Sequence, residues 1–253
     1  MANRAIDKLY PEFFAGGFSR FDHKVQFFNR VRSLALEDMV VLDFGAGRGE
    51  WADGHNKYIT SLQDFKNSGI VTKIIGVDVD NAVESNQRMD ETYVLGTDGK
   101  IPLPDNSIDL IFSYAVFEHL EDPSLAAAEL NRILKPGGWI CAWTTNRFGY
   151  VAVASSLIPN RLHVCVLGML GMIAKESGKR GAEDVFPTHY KLNTVGSVKK
   201  YFGEDLFNNY SYVYSGPEGY AGRFMFLARV FKFYNWILPR NFGTHLYIFL
   251  QKK

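Results

Sequence analysis

The residues best placed to do chemistry lie in the run VVLDFGAGRGEW at 40–51. An apolar strand-like stretch feeds a glycine-rich turn, with glycines at Gly45, Gly47 and Gly49. Without a Cβ at these positions, backbone amides can approach a ligand closely. The spacing is GxGxG rather than the GxGxxG of a dinucleotide-binding turn, and Asp43 stands two residues before the first glycine. That carboxylate repels a pyrophosphate and attracts a cation. Further on, IIGVDVD at 74–80 ends a second strand in Asp78, where an acid can accept both hydroxyls of a ribose. Together these residues point to a nucleoside ligand that carries positive charge and no phosphate.

Strand-like runs must carry these groups, and they fall at 39–44, 74–79, 92–95, 110–113 and 139–145. Helix-like stretches separate them, the pattern of a parallel sheet covered by helices. Pro123 occupies a first helical position, LAAAELNRIL at 125–134 keeps its apolar residues on one face, and PGG at 136–138 reads as the helix stop. Upstream, 18–36 contains the amphipathic DHKVQFFNRVRSLAL and predicts one or two helices on the sheet edge. After the fifth strand the rhythm breaks. Residues 147–190 hold an apolar helix-like stretch split by Pro159, followed by VFPTHYKLN, which reads as a loop. A helix resumes at 194–203 with Asn193 or Thr194 as its cap. Strands are expected at 209–214 and 245–250, and between them 220–238 is amphipathic, with Arg229, Lys232 and Asn235 as a polar strip.

Composition narrows the class. At 47% hydrophobic and 22% charged residues the chain is neither disordered nor low in complexity. A chain of 253 residues buries its own core without disulfides. The net charge of +1 gives no global basic field of the kind a nucleic-acid binder shows. Yet the charge is polarised. Residues 130–175 and 219–253 contain eleven basic residues and no acid, so the remainder carries −10, with 17 basic and 27 acidic residues. Cys141 and Cys165 sit in apolar surroundings, which argues against a disulfide framework or thiolate metal cluster and fits a reducing compartment. The six histidines show no metal-ligand spacing. MANRAIDKLYPEFF does not read as a signal peptide. The longest apolar run, 162–174, is short for a membrane span and is interrupted by His163. A cytoplasmic protein is expected, membrane-associated at most through peripheral contact.

Residues 40–145 resemble the class I S-adenosylmethionine-dependent methyltransferases, in particular the small-molecule group that includes the quinone-ring enzymes. The likeness lies in LDFGAGRG at 42–49, GVD at 76–78, TDGKIPLPDNSIDLIFSYAVFEHLEDP at 97–123 and LKPGG at 134–138. It implies S-adenosyl-L-methionine as cofactor, with its methionine part held by Asp43, Phe44, Gly45, Ala46 and Gly47. It implies Asp78 on the ribose, Val79 on the adenine face, Asp98 and the Gly99 amide at the adenine amino group, and Ser113 beside the methionine portion. The implied fold is α/β, a Rossmann-like three-layer sandwich with a seven-stranded, mostly parallel sheet whose last strand, HLYIFLQKK, is antiparallel. One methyltransferase domain over 1–253 is expected: N-terminal helices at 1–37, a cofactor-binding core at 38–146, and a substrate-cap insertion at 147–192. Its last part, 193–253, would hold the final helix and strands, with a helical insertion at about 217–244. Two departures stand out: a longer gap between Gly49 and Asp78, filled by GHNKYITSLQDFKNSG at 54–69, and a long stretch between the last two strands where the family has a hairpin.

Methyl transfer is a displacement at a sulfonium carbon and demands an in-line approach. A base is needed only where an oxygen or nitrogen must lose a proton. His119, just past the fourth strand, is the candidate catalytic residue, because the carboxyl ends of parallel strands face the ligand crevice and histidine titrates near neutral pH. Glu118 shares that position, His189 and Tyr190 could close over a substrate, and Asn146 could orient a hydroxyl. The acid-free, aromatic-rich stretches suit a small-molecule or lipid-linked acceptor with an anionic group, such as a glycan precursor or an isoprenoid. The alternatives are a cofactor-binding protein without turnover and a methyltransferase acting on nucleic acid or protein. Against nucleic acid, SYAVFEHL at 113–120 lacks the Asn/Asp-Pro-Pro-aromatic signature of amino-methylating enzymes.

Overall fold

The computed structural model describes residues 5–49, 56–150, 152–153, 187–216, 221–222 and 224–253. In chain order the elements are α1 (Ala5–Leu9), α2 (His23–Leu34), β1 (Val40–Phe44), α3 (Lys57–Gln63), β2 (Lys73–Asp78), β3 (Glu91–Val94), β4 (Ile108–Tyr114), α4 (Pro123–Ile133), β5 (Leu134–Thr145), α5 (Val195–Phe202), β6 (Phe207–Asn209), β7 (Tyr212–Tyr214), α6 (Met225–Ile237) and β8 (His245–Lys252). They fall into two compact units, one of 24–144, 189–212 and 246–253, the other of 1–23, 145–188 and 213–245. Most of the stretch 147–190, with Pro159, His163 and Cys165, lies outside the described residues, as does His55. No helix among the described residues is long and apolar enough to cross a membrane.

The first unit is built on a sheet of order β3-β2-β1-β4-β5-β8-β6, with β7 also pairing β8. β1, β2, β3, β4 and β5 run parallel, and β6 is antiparallel to β8. The expected Rossmann-like arrangement is present. The predicted strand at 209–214 is broken at Tyr210 and Ser211, which brings the strand count to eight. There Tyr210 N–H still reaches Phe249 O at 2.9 Å, while the Phe249 amide donates to the Ser211 hydroxyl at 3.3 Å in place of a ladder bond.

Two expectations need correction. The helix at 18–36 is α2, and it packs on the face of the sheet rather than at its edge. Phe27 meets Tyr114, Tyr247 and Phe249, and Phe28 meets Phe112 and Tyr114. Four buried apolar residues, Val25, Phe27, Phe28 and Val31, need a broad apolar surface, and the middle strands offer it. PGG at 136–138 does not stop a helix in a loop. α4 ends at Ile133 and β5 starts at once, with Gly138 inside it because a Cβ there would lie 2.8 Å from Asp109 O. At the other end of α4, Asp122 caps the amides of Ser124 and Leu125 and Pro123 follows as expected. The cap of α5 is Thr194, in a reciprocal box with Ser197.

Much of the basic charge is held internally. Arg132 binds Glu129 and Asp105 and the carbonyls of Ile101 and Leu103. Lys135 pairs with Asp109 at 2.8 Å, Lys252 donates to Asn131 O and Leu134 O, and Lys253 to Glu204 O. These groups anchor strand ends and loops, so they are not part of an open basic face.

Candidate functional site

The carboxyl ends of β1, β2 and β4 bring together most of the residues singled out in the sequence. Register places Asp43 of β1 between Gly76 of β2 and Phe112 of β4. The chain then turns: the amides of Gly45 and Ala46 both donate to Val77 O, at 2.8 and 3.1 Å. Gly45 has φ +88°, and a Cβ there would collide with the Val116 side chain, so glycine is required for both conformation and space. Among the described residues nothing lies within 4 Å of where a Cβ at Gly47 would stand, so none of them fills the turn on that side. Phe44 and Ala46 are buried beneath the turn.

Asp78 ends β2 and fixes the same turn. One carboxylate oxygen accepts the Gly47 amide at 2.8 Å and the other the Asp80 amide at 3.0 Å. Each oxygen keeps a further lone pair for a ligand hydroxyl. Val79, next along, is 63% exposed. Ser113 is fully buried, and its hydroxyl donates to Phe44 O at 2.7 Å, supporting the turn from below. Asp98 is exposed and accepts the Lys100 amide at 3.2 Å. Gly99, at φ +66°, closes a turn on Gly96 O. The segment that follows is stapled to α4, where Glu129 accepts the Ile101 amide at 2.7 Å.

Asp43 is buried, and its carboxyl is pushed up to about 8, first by desolvation and then by the charge of Asp78. A buried carboxyl next to a second acid favours a cationic ligand, which restores the ionised form. The fit to a sulfonium nucleoside is therefore good: a cation-seeking acid, a diol acceptor and a glycine turn that a ligand can approach closely. A pH dependence follows. In the unfolded chain Asp43 ionises near 4, whereas in the folded chain it keeps its proton to about 8. Between those values the folded state binds more protons, so stability falls as pH rises through the window. Asp43→Asn should flatten the fall in urea midpoint measured from about pH 5 to about pH 8. Equal slopes in the two proteins would contradict the assignment.

The end of β4 carries the second group. Ala115 adopts φ +60°, and its amide donates to Trp143 O at 2.9 Å. This left-handed residue, costly for alanine, turns Val116 onto Gly45 and starts the 3₁₀ turn Phe117–His119. His119 is half-buried there, its amide on Val116 O at 2.8 Å. Glu118 points into the core instead. Thr144 Oγ1 donates to its carboxylate at 2.5 Å, and Asn193 Nδ2 donates to Thr144 Oγ1 at 2.7 Å. Burial raises the Glu118 carboxyl above its usual range. The Glu118 carbonyl accepts the amides of His189 at 2.8 Å and Tyr190 at 3.2 Å, which ties the loop before α5 to the end of β4. His189 itself is exposed.

Asn146 does not orient a substrate hydroxyl through its amide donors. Both are spent on Asn241 O at 2.9 Å and Gly243 O at 2.7 Å, where they pin the turn before β8. Cys141 is buried with its thiol pushed far up by desolvation, consistent with a core residue. No cluster of three metal-ligating side chains occurs among the described residues. Sequence reasoning missed Asn86, whose amide donates to Ala46 O and Gly47 O at 3.2 and 3.0 Å and clamps the glycine turn. It also missed Ala115, Val116 and Thr144, and read Asn193 only as a candidate cap of α5, whereas its side chain bonds Thr144. None belongs to a spacing pattern, so nothing local marks them.

Residues 42–142 match the family model described as a methyltransferase domain. The chain is 34% identical over 116 residues to an uncharacterized methyltransferase of Schizosaccharomyces pombe, covering 40% of this chain and 38% of that protein. It is 31% identical over 104 residues to the malonyl-[acyl-carrier protein] O-methyltransferase of Yersinia pestis, covering 40% and 34%. The matched part thus spans well under half the length of these relatives. A solved SAM-dependent methyltransferase of Thermotoga maritima aligns over 98% of this chain and 96% of its own, at 18% identity and a TM-score of 0.54, a likeness of fold.

Proposed function

We propose that this chain, whose residues 42–142 form a methyltransferase domain of the class I S-adenosylmethionine-dependent kind, transfers the methyl group of S-adenosylmethionine to a small-molecule or lipid-linked acceptor bearing an anionic group. The observation that carries the reading is the buried Asp43 beside Asp78 behind a glycine turn. Asp43 and the glycine turn, whose missing Cβ atoms allow close approach, hold the methionine part of the cofactor, and Asp78 accepts the ribose hydroxyls. Val79 covers one adenine face, and Asp98 meets the adenine amino group, while the Gly99 amide is taken by Gly96 O and only shapes the turn beside it. When bound, the cofactor supplies an electrophilic methyl on a sulfonium. His119 takes the acceptor's proton where oxygen or nitrogen is methylated. Glu118 positions it: held by Thr144, it fixes the turn from which His119 projects.

Support for an anionic acceptor comes from the basic residues not consumed inside the fold. Arg147, Arg229 and Arg240 are exposed in segments that lack acids, and guanidinium groups hold phosphates or carboxylates through charge-assisted hydrogen bonds. The Yersinia relative, by its name, methylates a malonyl group on an acyl-carrier protein. A glycan precursor or isoprenoid phosphate has the same combination of charge and greasy body. The site of action would be cytoplasmic, with peripheral membrane contact.

The test is transfer from isotope-labelled S-adenosylmethionine, read as labelled product and released S-adenosylhomocysteine. Lipid-linked phosphates, free neutral metabolites, RNA and protein are offered in parallel. Labelling of the lipid-linked phosphates is expected. Binding of the cofactor with no transfer to any class would assign a binding protein without turnover, and labelled RNA or protein would overturn the acceptor.

A further inference from the structure

The second unit contains a helix whose burial runs against its sequence. α6 reads MFLARVFKFYNWI, and of its residues only Ala228 is fully buried, packed with Ala5 and Ala221. Met225, Leu227 and Phe231 lie partly buried on that side. The opposite side carries Phe226, Val230, Phe233, Trp236 and Ile237, which recur at helical spacing and form one stripe. Phe226 is 81% exposed, Trp236 80% and Phe233 58%. The rings of Phe233 and Trp236 touch at 5.9 Å, so the stripe is continuous there. An amphipathic helix of a water-soluble domain normally turns such a stripe to the core, and a contiguous exposed apolar patch marks an interaction surface.

The charge around the stripe selects the partner. Arg229 lies within it and is exposed, whereas the Lys232 ammonium rests over the buried Tyr10 ring at 5.3 Å. Arg240 follows just beyond the helix, and Phe148 and Phe242, both exposed, meet at 6.3 Å near Arg147 and Arg240. From 219 to 253 there is no Asp or Glu. Bulky apolar side chains, a tryptophan at the outer rim and basic groups whose long stems reach outward are the composition of a helix that lies in a membrane interface.

We propose that α6 docks the chain on an anionic bilayer, its Phe226–Ile237 stripe sunk to the headgroup boundary and Arg229 and Arg240 against lipid phosphates. The proposal deepens the reading of a lipid-linked acceptor, since it brings the protein to the surface in which such an acceptor resides.

The experiment is co-sedimentation of the full chain with phosphatidylcholine vesicles, with and without phosphatidylserine, at low and high salt. Wild-type protein is expected on the anionic vesicles at low salt and largely in solution with neutral ones. The emission of Trp236, obtained as the difference from Trp236→Phe, should shift to the blue on binding and be quenched by lipids brominated in their chains. Phe226→Ser with Phe233→Ser should weaken vesicle binding by about tenfold or more, and Arg229→Glu by about tenfold on anionic vesicles. Because these side chains are exposed, S-adenosylmethionine affinity and thermal midpoint should hold in every variant, which separates failure of docking from failure of the cofactor site. Absence of wild-type protein from anionic vesicles, equal binding to neutral ones, or unchanged binding by the double serine variant would overturn the proposal. A dimer that the serine substitutions dissociate, without vesicle binding, would assign the stripe to a second copy instead.

Discussion

His119→Ala is expected to lower turnover by about 100-fold or more while S-adenosylmethionine affinity stays nearly constant. The residue stands on the 3₁₀ turn Phe117–His119, directly after the left-handed Ala115 and next to the Val116 that touches the glycine turn. In the proposed function a group held there acts on the acceptor and makes none of the cofactor's own bonds. The effect should therefore fall on kcat, and added imidazole should restore part of it, a readout that a merely structural role would not move. Glu118→Gln provides the contrast. Its amide oxygen can still accept from Thr144, so the network and the turn persist and activity should stay close to that of the parent. Full activity in His119→Ala would leave in-line positioning as the main catalytic device.

Asp78→Ala is expected to weaken S-adenosylmethionine and S-adenosylhomocysteine binding by about ten- to a hundredfold, the equivalent of roughly 1.5–3 kcal/mol for charge-assisted hydrogen bonds. Two losses combine. The ribose hydroxyls lose their acceptor, and the Gly47 and Asp80 amides lose the carboxylate that fixes them at 2.8 and 3.0 Å. Calorimetry measures both ligands directly. Unchanged affinity would remove Asp78 from the site, and tight NADH binding by the parent would favour a dinucleotide over a sulfonium nucleoside.

Much of the candidate cofactor site was legible in the sequence as a set of residues brought together, because its determinants are local. A strand ending in Asp43, three glycines at fixed spacing and a second strand ending in Asp78 are properties of short segments. Parallel pairing of β1 with β2 and β4 then carries them to one edge of the sheet. Pro123 after Asp122 likewise announced the start of α4 from its own chemistry.

What the tertiary structure decided depends on partners far apart in the chain. Asn86 clamps the turn at Ala46 and Gly47, and Val116 makes glycine obligatory at 45. Glu118, Thr144 and Asn193 meet through bonds spanning 26 and 49 residues. Charge counting suffered for the same reason, since Arg132, Lys135, Lys252 and Lys253 are absorbed by carboxylates and carbonyls that only folding brings near them. The periodicity of α6 set out its two faces, but periodicity does not say which face is covered. Packing on Ala5 and Ala221 turned the small residues inward and left Phe226, Phe233 and Trp236 outside, because close helix packing needs a small side chain at the contact and Ala228 supplies it.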